Sequence, residues 1–480
     1  MSSVRKAIAY SSVTQYSSRI ISIFSIAIIA RILTPEELGV YAIASSIALL
    51  ASELRLLGIA NFIVREKDLT PNLVSSALGL TMIISWGLGI LMLSTSAMIA
   101  DYYNYQILRE IIWILSISFF LAPYISVISS LYSRDLNYRI LLFIRLPAQI
   151  IGFIFTLYLI YIDVGIFALA WGSAVTIFLE FITSLLFRNR SYPLYPSFRY
   201  LKQILRFGIF NSGSTLLFRI STTAPDLIIG KLGSSVDVAM YSRGLGFVDF
   251  LSNFLIMGAK PIALPYLAQV RRSGGSLSDA YIASTSMLCT ITWPALGFAS
   301  IMSLQTLRVI FGDQWDAASP LVSYLTLWAG FRMTHTLSQS YLISTGNEKV
   351  MFFKEVAGVS LVIFAIYFAF PYGLVYVAAA MAIASFIEML ITMITLKYFA
   401  DLKVTLFVKE LIPVTFLTLV CWVSIVGFSE LDWIKQLSDF IQLVVTGMIN
   451  LAIWVLFLWA FRLRLFREIK STFTKHSKNP

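Results

Sequence analysis

The stretch that decides the fold is NSGSTLLFRISTTAPDLIIGKLGSSVDVAMY, residues 211–241. Wound as a helix, it sets Ser212, Thr215, Arg219, Thr222 and Asp226 at steps of three and four, which makes one polar line. The other faces carry Leu216, Leu217, Phe218, Ile220, Leu227, Ile228 and Ile229. Two hundred residues upstream the line recurs at Ser12, Gln15, Arg19 and Ser22, between Val13, Ile20, Ile21 and Ile23. Laid side by side without a gap, Ser12/Ser212, Arg19/Arg219, Ile20/Ile220, Ile28/Ile228, Ile29/Ile229 and Tyr41/Tyr241 are identical. Gly58/Gly258 follow, and Arg31 faces Lys231. The chain therefore reads as two halves of similar design, each opening with an apolar helix that carries a buried arginine.

Composition gives the class. Of the 480 residues 58% are hydrophobic and 13% charged, with mean hydropathy +0.82, whereas about a quarter of a soluble domain is charged. Apolar runs of the roughly 20 residues needed to cross a bilayer recur along the whole length. The dyad alternation of a membrane β-barrel is absent. The expected fold is an all-α polytopic membrane protein with about fourteen transmembrane helices. Residues 39–62, 204–230, 236–268 and 318–343 each read as one span, and 410–428 and 440–462 are the weakest of the set.

Two thirds of the 36 Lys and Arg residues fall on the side that holds both termini, with Lys349 and Lys354 counted in one of its loops. Only Arg31, Arg109, Lys231, Arg308 and Lys435 lie on the other side. Positive loops stay inside, so both termini are expected in the cytoplasm. The net charge of +11 is then accounted for by topology and by attraction to anionic lipid headgroups; no nucleic acid is needed. Arg19 interrupts any signal-peptide apolar core, and no small-residue cleavage site follows. Cys289 and Cys421 both sit in spans, as small buried hydrophobes rather than a disulfide.

A basic segment at 188–203, with Tyr192-Pro193 and Tyr195-Pro196, separates the halves and reads as a cytoplasmic linker. The expected division is a six-helix lobe at 1–187, the linker, a six-helix lobe at 204–398, and an appended hairpin with a basic tail at 399–480. Six spans before the linker make the halves enter the membrane in the same direction. Parallel repeats imply a pseudo-twofold axis along the membrane normal, with the substrate path in a central cavity between the lobes. Among the prolines inside spans, Pro225 stands out because it adjoins Asp226 in the polar line.

Ionisable residues inside spans cost about 2.5–3.5 kcal/mol each at a helix centre, so they are expected to turn from lipid. The substrate-binding candidates are Arg19 and Arg55 from the first two spans, and Arg219, Arg243 and Lys260 from their counterparts. Arg332 joins them, with His335 and Gln339 on one face of the tenth span. The basic excess suits an anion, and the planar fork of arginine matches phosphate oxygens. The acids are Glu53, Asp226 and Asp249. Two roles stand open for them: pairing with Arg219 or Arg243, or binding H⁺ or Na⁺ as the driving ion. Glu180 is expected beside Arg145, and Glu355 near a helix end. Glu388 is the remaining acid within a span.

Catalytic signatures are missing. Gly230-Lys231 is followed by Leu232, and Pro225 stands where a phosphate-cradling loop needs its first glycine. His335 and His476 are too far apart for a metal site, and no long outer loop is present to house a reaction centre. The chain is expected not to be an enzyme, and to hold no metal and no cofactor other than a coupling ion.

The run IARILTPEELGVY at 29–41, then Leu57-Gly58-Ile59 and Val64-Arg65-Glu66, resembles the first-repeat signature of Wzx-type oligosaccharide flippases. These form the polysaccharide exporter branch of the multidrug/oligosaccharidyl-lipid/polysaccharide superfamily. DLIIGKLG at 226–233, followed by Tyr241-Ser242-Arg243, is similar to their second-repeat signature, with Ala239 where a glycine is usual. The resemblance implies flipping of an undecaprenyl-pyrophosphate-linked oligosaccharide to the outer leaflet by alternating access. It implies a monomer working with lipid-linked oligosaccharide, membrane lipids, a polysaccharide polymerase and chain-length proteins. A cation-coupled multidrug exporter is the second reading, although it should want acids in its cavity. A membrane polysaccharide polymerase or ligase is the third.

Overall fold

The computed structural model describes residues 2–468 apart from 57–58, 190–193 and 258–259. The side chains of 2–8, 56, 60–61, 203, 205–212, 214 and 260–261 also lie outside the described residues, and with them Ser212 and Lys260. Among the described residues all regular structure is helical. Two compact units divide the chain, Met1–Ala239 and Met240–Pro480.

The first unit holds α1 (Ser2–Ile32), α2 (Pro35–Leu56), α3 (Ile59–Arg65), α4 (Pro71–Tyr103), α5 (Ile107–Arg134), α6 (Tyr138–Tyr161), α7 (Phe167–Leu186) and α8 (Leu201–Leu232). Small residues set one close crossing in it, between α6 and α7. A Cβ on Gly152 would collide with the Thr176 hydroxyl, and one on Gly172 with the Thr156 hydroxyl. Each threonine donates to the carbonyl of its own preceding glycine, Thr156 to Gly152 and Thr176 to Gly172, both at 2.9 Å. Close backbones and satisfied hydroxyls bring helices together in lipid, where no hydrophobic drive exists between them. A helix start shows local chemistry at work: the Thr70 hydroxyl accepts from the Leu73 amide, with Pro71 beginning α4.

The chain continues with α9 (Ser235–Ile256), which begins in the last residues of the first unit, then α10 (Lys260–Arg272), α11 (Leu277–Ile301), α12 (Ser303–Phe311), α13 (Ser319–Met333) and α14 (Ser338–Thr345). They are followed by α15 (Glu348–Ala369), α16 (Leu374–Ala400), α17 (Val404–Ser429), α18 (Asp432–Lys435) and α19 (Asp439–Ala460). The C-terminal hairpin is built into the second unit: α17 packs along α11, and the Trp454 indole on α19 donates to the Thr290 carbonyl at 2.9 Å.

The repeat is visible in the element bounds. Adding 200 to α1 and α2 gives the bounds of α8 and α9 with no difference at any end but the first, which differs by one residue. The turns between them carry the same capping box. Thr34 and Glu37 exchange backbone and side-chain bonds at the start of α2, and Ser234 and Asp237 do so at the start of α9.

Eleven helices among the described residues are long and apolar enough to cross a membrane. They include the two weakest of the fourteen expected spans, now α17 and α19. Exposed Ile90, Leu91, Met98, Ile154, Phe364 and Phe368 give them the apolar exterior that lipid requires. This is a multi-pass membrane protein. The other three expected spans are α8, α9 with α10, and α13 with α14, where charges or breaks interrupt the apolar run.

Two expected single spans, 236–268 and 318–343, are broken by turn, and a third, 39–62, carries two helices on either side of residues 57–58, which lie outside the described residues. Residues 39–62 become α2 and α3, 236–268 become α9 and α10, and 318–343 becomes α13 and α14 with turn at 334–337. The last break overturns one expected face. Arg332, His335 and Gln339 share a side only on a continuous helix, and here His335 is buried in the turn while Gln339 is exposed.

Candidate functional site

In the first unit α8 lies along α2, and two members of its polar line, Arg219 and Asp226, meet that helix. Gly230 permits the approach, since a Cβ there would come within 2.7 Å of Ile43. Arg219 reaches Glu53 with two donors, Nε at 3.0 Å and Nη2 at 2.6 Å, both to Oε1. One turn or two further on, Ser46 donates to the Asp226 carboxylate at 2.7 Å. Nearer the helix end, Lys231 donates to the Tyr102 carbonyl at 2.6 Å and lies 4.0 Å from that ring. The sequence placed Arg219, Glu53 and Asp226 as candidates, and the structure gathers all three at the α2–α8 contact. Glu53, rather than Asp226 or Asp249, supplies the carboxylate that holds Arg219.

Two further arginines of this unit stand apart from that contact. Arg55, in the last turn of α2, sits 5.7 Å from the Phe119 ring, and its buried Nε has no hydrogen-bond partner among the described residues. Arg19 is exposed on α1, which packs along α6.

In the second unit, Arg332 at the end of α13 lies 3.9 Å from the Asp249 carboxylate of α9 and 4.9 Å from the Trp328 ring. Arg243, two turns before Asp249, is held between aromatic rings, 5.0 Å from Phe311 and 4.6 Å from Trp315. Desolvated guanidinium–ring contacts of this kind are worth roughly 2 kcal/mol. Trp315 is completely buried, so the cage is a fixed part of the unit. Arg332 and Asp249 were expected candidates; the aromatic cage was not. Its signal was present only as FGDQW at 311–315, which carries no periodic pattern.

One charge cluster escaped the sequence reading altogether. Lys354 was counted with a cytoplasmic loop, yet its side chain is 3% exposed. It bonds Glu355 at 2.9 Å and lies 3.6 Å from Glu388 on α16. Gly358, one turn on, leaves the space that Glu388 fills. A lysine set six residues into an apolar helix was the signal to find. A buried ammonium requires two acids nearby rather than none.

The arrangement can orient guanidinium groups at membrane depth. Arg219 spends Nε and Nη2 on one carboxylate oxygen, so its third nitrogen remains for an anion, and its side chain keeps 32% of its surface against 11% for Glu53. No cluster of three or more His, Cys, Asp or Glu suited to a metal occurs among the described residues.

Comparison with known proteins places these features in context. A family described as polysaccharide biosynthesis protein matches residues 28–320. The teichuronic acid biosynthesis protein TuaB of Bacillus subtilis (strain 168) is 21% identical over 435 residues, 88% of each chain. The lipopolysaccharide biosynthesis protein WzxC of Escherichia coli (strain K12) is 24% identical over 343 residues, 68% of this chain and 66% of that protein. Among solved structures, the lipid II flippase MurJ in an inward closed conformation superposes with a TM-score of 0.80 at 16% identity, over 96% of this chain and 99% of that one.

Proposed function

The chain belongs to the polysaccharide biosynthesis protein family, and on that premise we propose that it flips a lipid-linked oligosaccharide from the cytoplasmic to the outer leaflet. The carrier is undecaprenyl pyrophosphate, the motion is alternating access, and the product feeds surface polysaccharide assembly. It is a transporter, and no substrate bond is made or broken.

The observation that carries the reading is Arg219, a guanidinium within α8 that Glu53 orients without using all of its donors. A diphosphate offers oxygens to such a fork, and charge-assisted bonds contribute about 1.5–3 kcal/mol each. Arg19, Arg55, Arg243, Lys260 and Arg332 complete the headgroup path in this reading. The repeat supports placing Arg19 and Arg219 as twin contacts about a pseudo-twofold axis.

The protein works as a monomer in the bacterial cytoplasmic membrane with both termini inside, and hands its glycan to a polymerase and its chain-length partner. An H⁺ or Na⁺ gradient drives the cycle through Asp226, Asp249 or Glu53. A multidrug exporter is disfavoured because Glu53 and Asp249 already face arginines, which leaves less negative charge for a cationic drug. A polymerase or ligase would want a long outer segment, and the α4–α5 connection spans only 104–106.

The test is deletion of the gene in its host followed by analysis of lipid-linked glycans. Full-length oligosaccharide should accumulate on its carrier, accessible only from the cytoplasmic side. Unchanged surface polysaccharide in the deletion strain, with no accumulated intermediate, would refute the proposal.

A further inference from the structure

Helices α6 and α7 cross in a register that small residues set, Gly152 against Thr176 and Gly172 against Thr156. One turn on from Thr176, the same face of α7 carries Glu180. One turn back from Gly152, α6 presents Ala148, which is buried. Arg145 and Gln149 flank Ala148 on α6. Glu180 is the one ionisable side chain of α7, nearly two turns before that helix ends at Leu186. It therefore lies inside a membrane span.

Glu180 was expected beside Arg145, and Arg145 is the charge that acts on it. Yet no basic nitrogen comes within 4.0 Å of its carboxylate among the described residues, and Arg145 itself is exposed. From α5 the ionisable neighbour is Tyr124, whose ring lies 5.6 Å from that of Phe181; a phenol brings no positive charge. The acids already placed are provided for. Glu53 holds Arg219, Asp226 accepts from Ser46, and Asp249 faces Arg332. An ionised carboxylate in a span without a close partner is costly.

Gln149 supplies the complement. Its Oε1 is buried with no donor among the described residues, and a buried acceptor calls for one. The α7 hydroxyls near this level are spent: Thr176 donates to the Gly172 carbonyl at 2.9 Å and Thr183 to that of Leu179 at 2.7 Å. An ionised Glu180 only accepts, and it would draw the NH₂ end of the amide. A protonated one has an O–H to give. The two unsatisfied groups answer each other when Glu180 holds a proton.

We propose that Glu180 is a proton-binding site in the first unit, an uncharged acid at neutral pH whose O–H donates to Gln149. A metal cation would want several oxygen ligands, and α7 carries no second acid. The bearing on transport rests on the flippase reading: the uncharged form spares α7 a bare charge while the protein changes conformation in lipid.

The experiment uses full-length protein in nanodiscs. The infrared difference between wild type and Glu180→Gln at neutral pH should show the C=O stretch of one protonated carboxyl, shifted on exchange into D₂O. Gln149→Leu should keep that band and move it to higher frequency, as befits a carboxyl that has lost its acceptor. Thermal melts establish that both variants fold. Absence of the band overturns the proton site, and a band unmoved in Gln149→Leu overturns its assigned acceptor. In proteoliposomes loaded with lipid-linked oligosaccharide extracted from the host, wild-type flipping should fall as pH is raised on both sides. Glu180→Gln, uncharged at every pH, should hold its rate over the same range; equal profiles would overturn the link to transport. The band without flipping by wild type would defeat the flippase reading alone, and flipping without the band would defeat the proton site alone.

Discussion

Helices α1 and α8 carry the same polar line in the same register, yet their arginines live in different surroundings. Arg219 is clasped by Glu53 from α2, while Arg19 is exposed on a helix that packs along α6, with no ion pair among the described residues. The sequence differs at the partner positions as well. Adding 200 to Glu53 leads to Asn253, which cannot form an ion pair and whose amide is spent on the Asp249 carbonyl at 2.8 Å. Adding 200 to Ser46, the partner of Asp226, leads to Gly246, and Asp226 itself corresponds to Ile26. The positions that hold Arg219 and Asp226 in the second opening helix thus have no acid or hydroxyl equivalent for the first. The two opening helices share their bounds and their polar line and differ in what they pack against, α2 for α8 and α6 for α1.

The comparison can be broken at several points, and the largest effect belongs to the clasped arginine. Arg219→Ala should stop glycan export while protein still reaches the membrane. Arg219→Lys should recover only part of it, because lysine keeps the charge and loses the fork. Normal export from the Arg19→Ala/Arg219→Ala double variant at native expression would refute any role for the pair.

Next come the acids of α8 and α9. Asp226→Asn or Asp249→Asn should insert normally and lose the dependence of transport on an ion gradient, measured in proteoliposomes. Retained gradient dependence in both would leave them with structural roles, such as the contacts to Ser46 and Arg332.

A smaller effect tests the clasp as structure. Glu53→Asn gives Arg219 the partner that the repeat assigns to Arg19. The loss should be near 1.5 kcal/mol, the low end of the range for charged hydrogen bonds, because Arg219 keeps about a third of its side-chain surface open to screening. A thermal melt in detergent reads it, and an unchanged melt would mean that the ion pair adds nothing to the first unit.

The capping boxes supply the internal control. Thr34→Ala and Ser234→Ala should each cost about 1 kcal/mol, and similar amounts, since both boxes are local and alike. Markedly unequal costs would show that the divergence reaches the backbone as well. The least effect is expected from Arg109→Ala, whose guanidinium sits 4.8 Å from Trp113 near the start of α5; export should be indistinguishable from wild type.

Much of the fold was legible before any coordinates. Class followed from hydropathy, and the repeat from the recurrence of Ser12/Ser212, Arg19/Arg219 and Ile29/Ile229. The paired boxes Thr34–Glu37 and Ser234–Asp237 were equally open to inspection, because a capping box is a four-residue pattern. Helical periodicity and caps depend on neighbours in the chain, so they can be read from neighbours in the chain. The broken tenth span was less accessible: nothing in Thr334-His335-Thr336-Leu337 forbids a helix, and the turn is held by packing such as the Tyr281 hydroxyl on the Thr334 carbonyl at 3.2 Å.

Which charges meet was decided by tertiary structure alone. Glu53 and Arg219 are 166 residues apart, Asp249 and Arg332 lie on separate helices, and Lys354 finds Glu388 across a helical pair. Sequence determined that these groups must leave lipid, because an unpaired charge there is too costly. It did not determine their partners, because that depends on which helix faces come within 4 Å, and small residues such as Gly230 and Gly358 set those approaches.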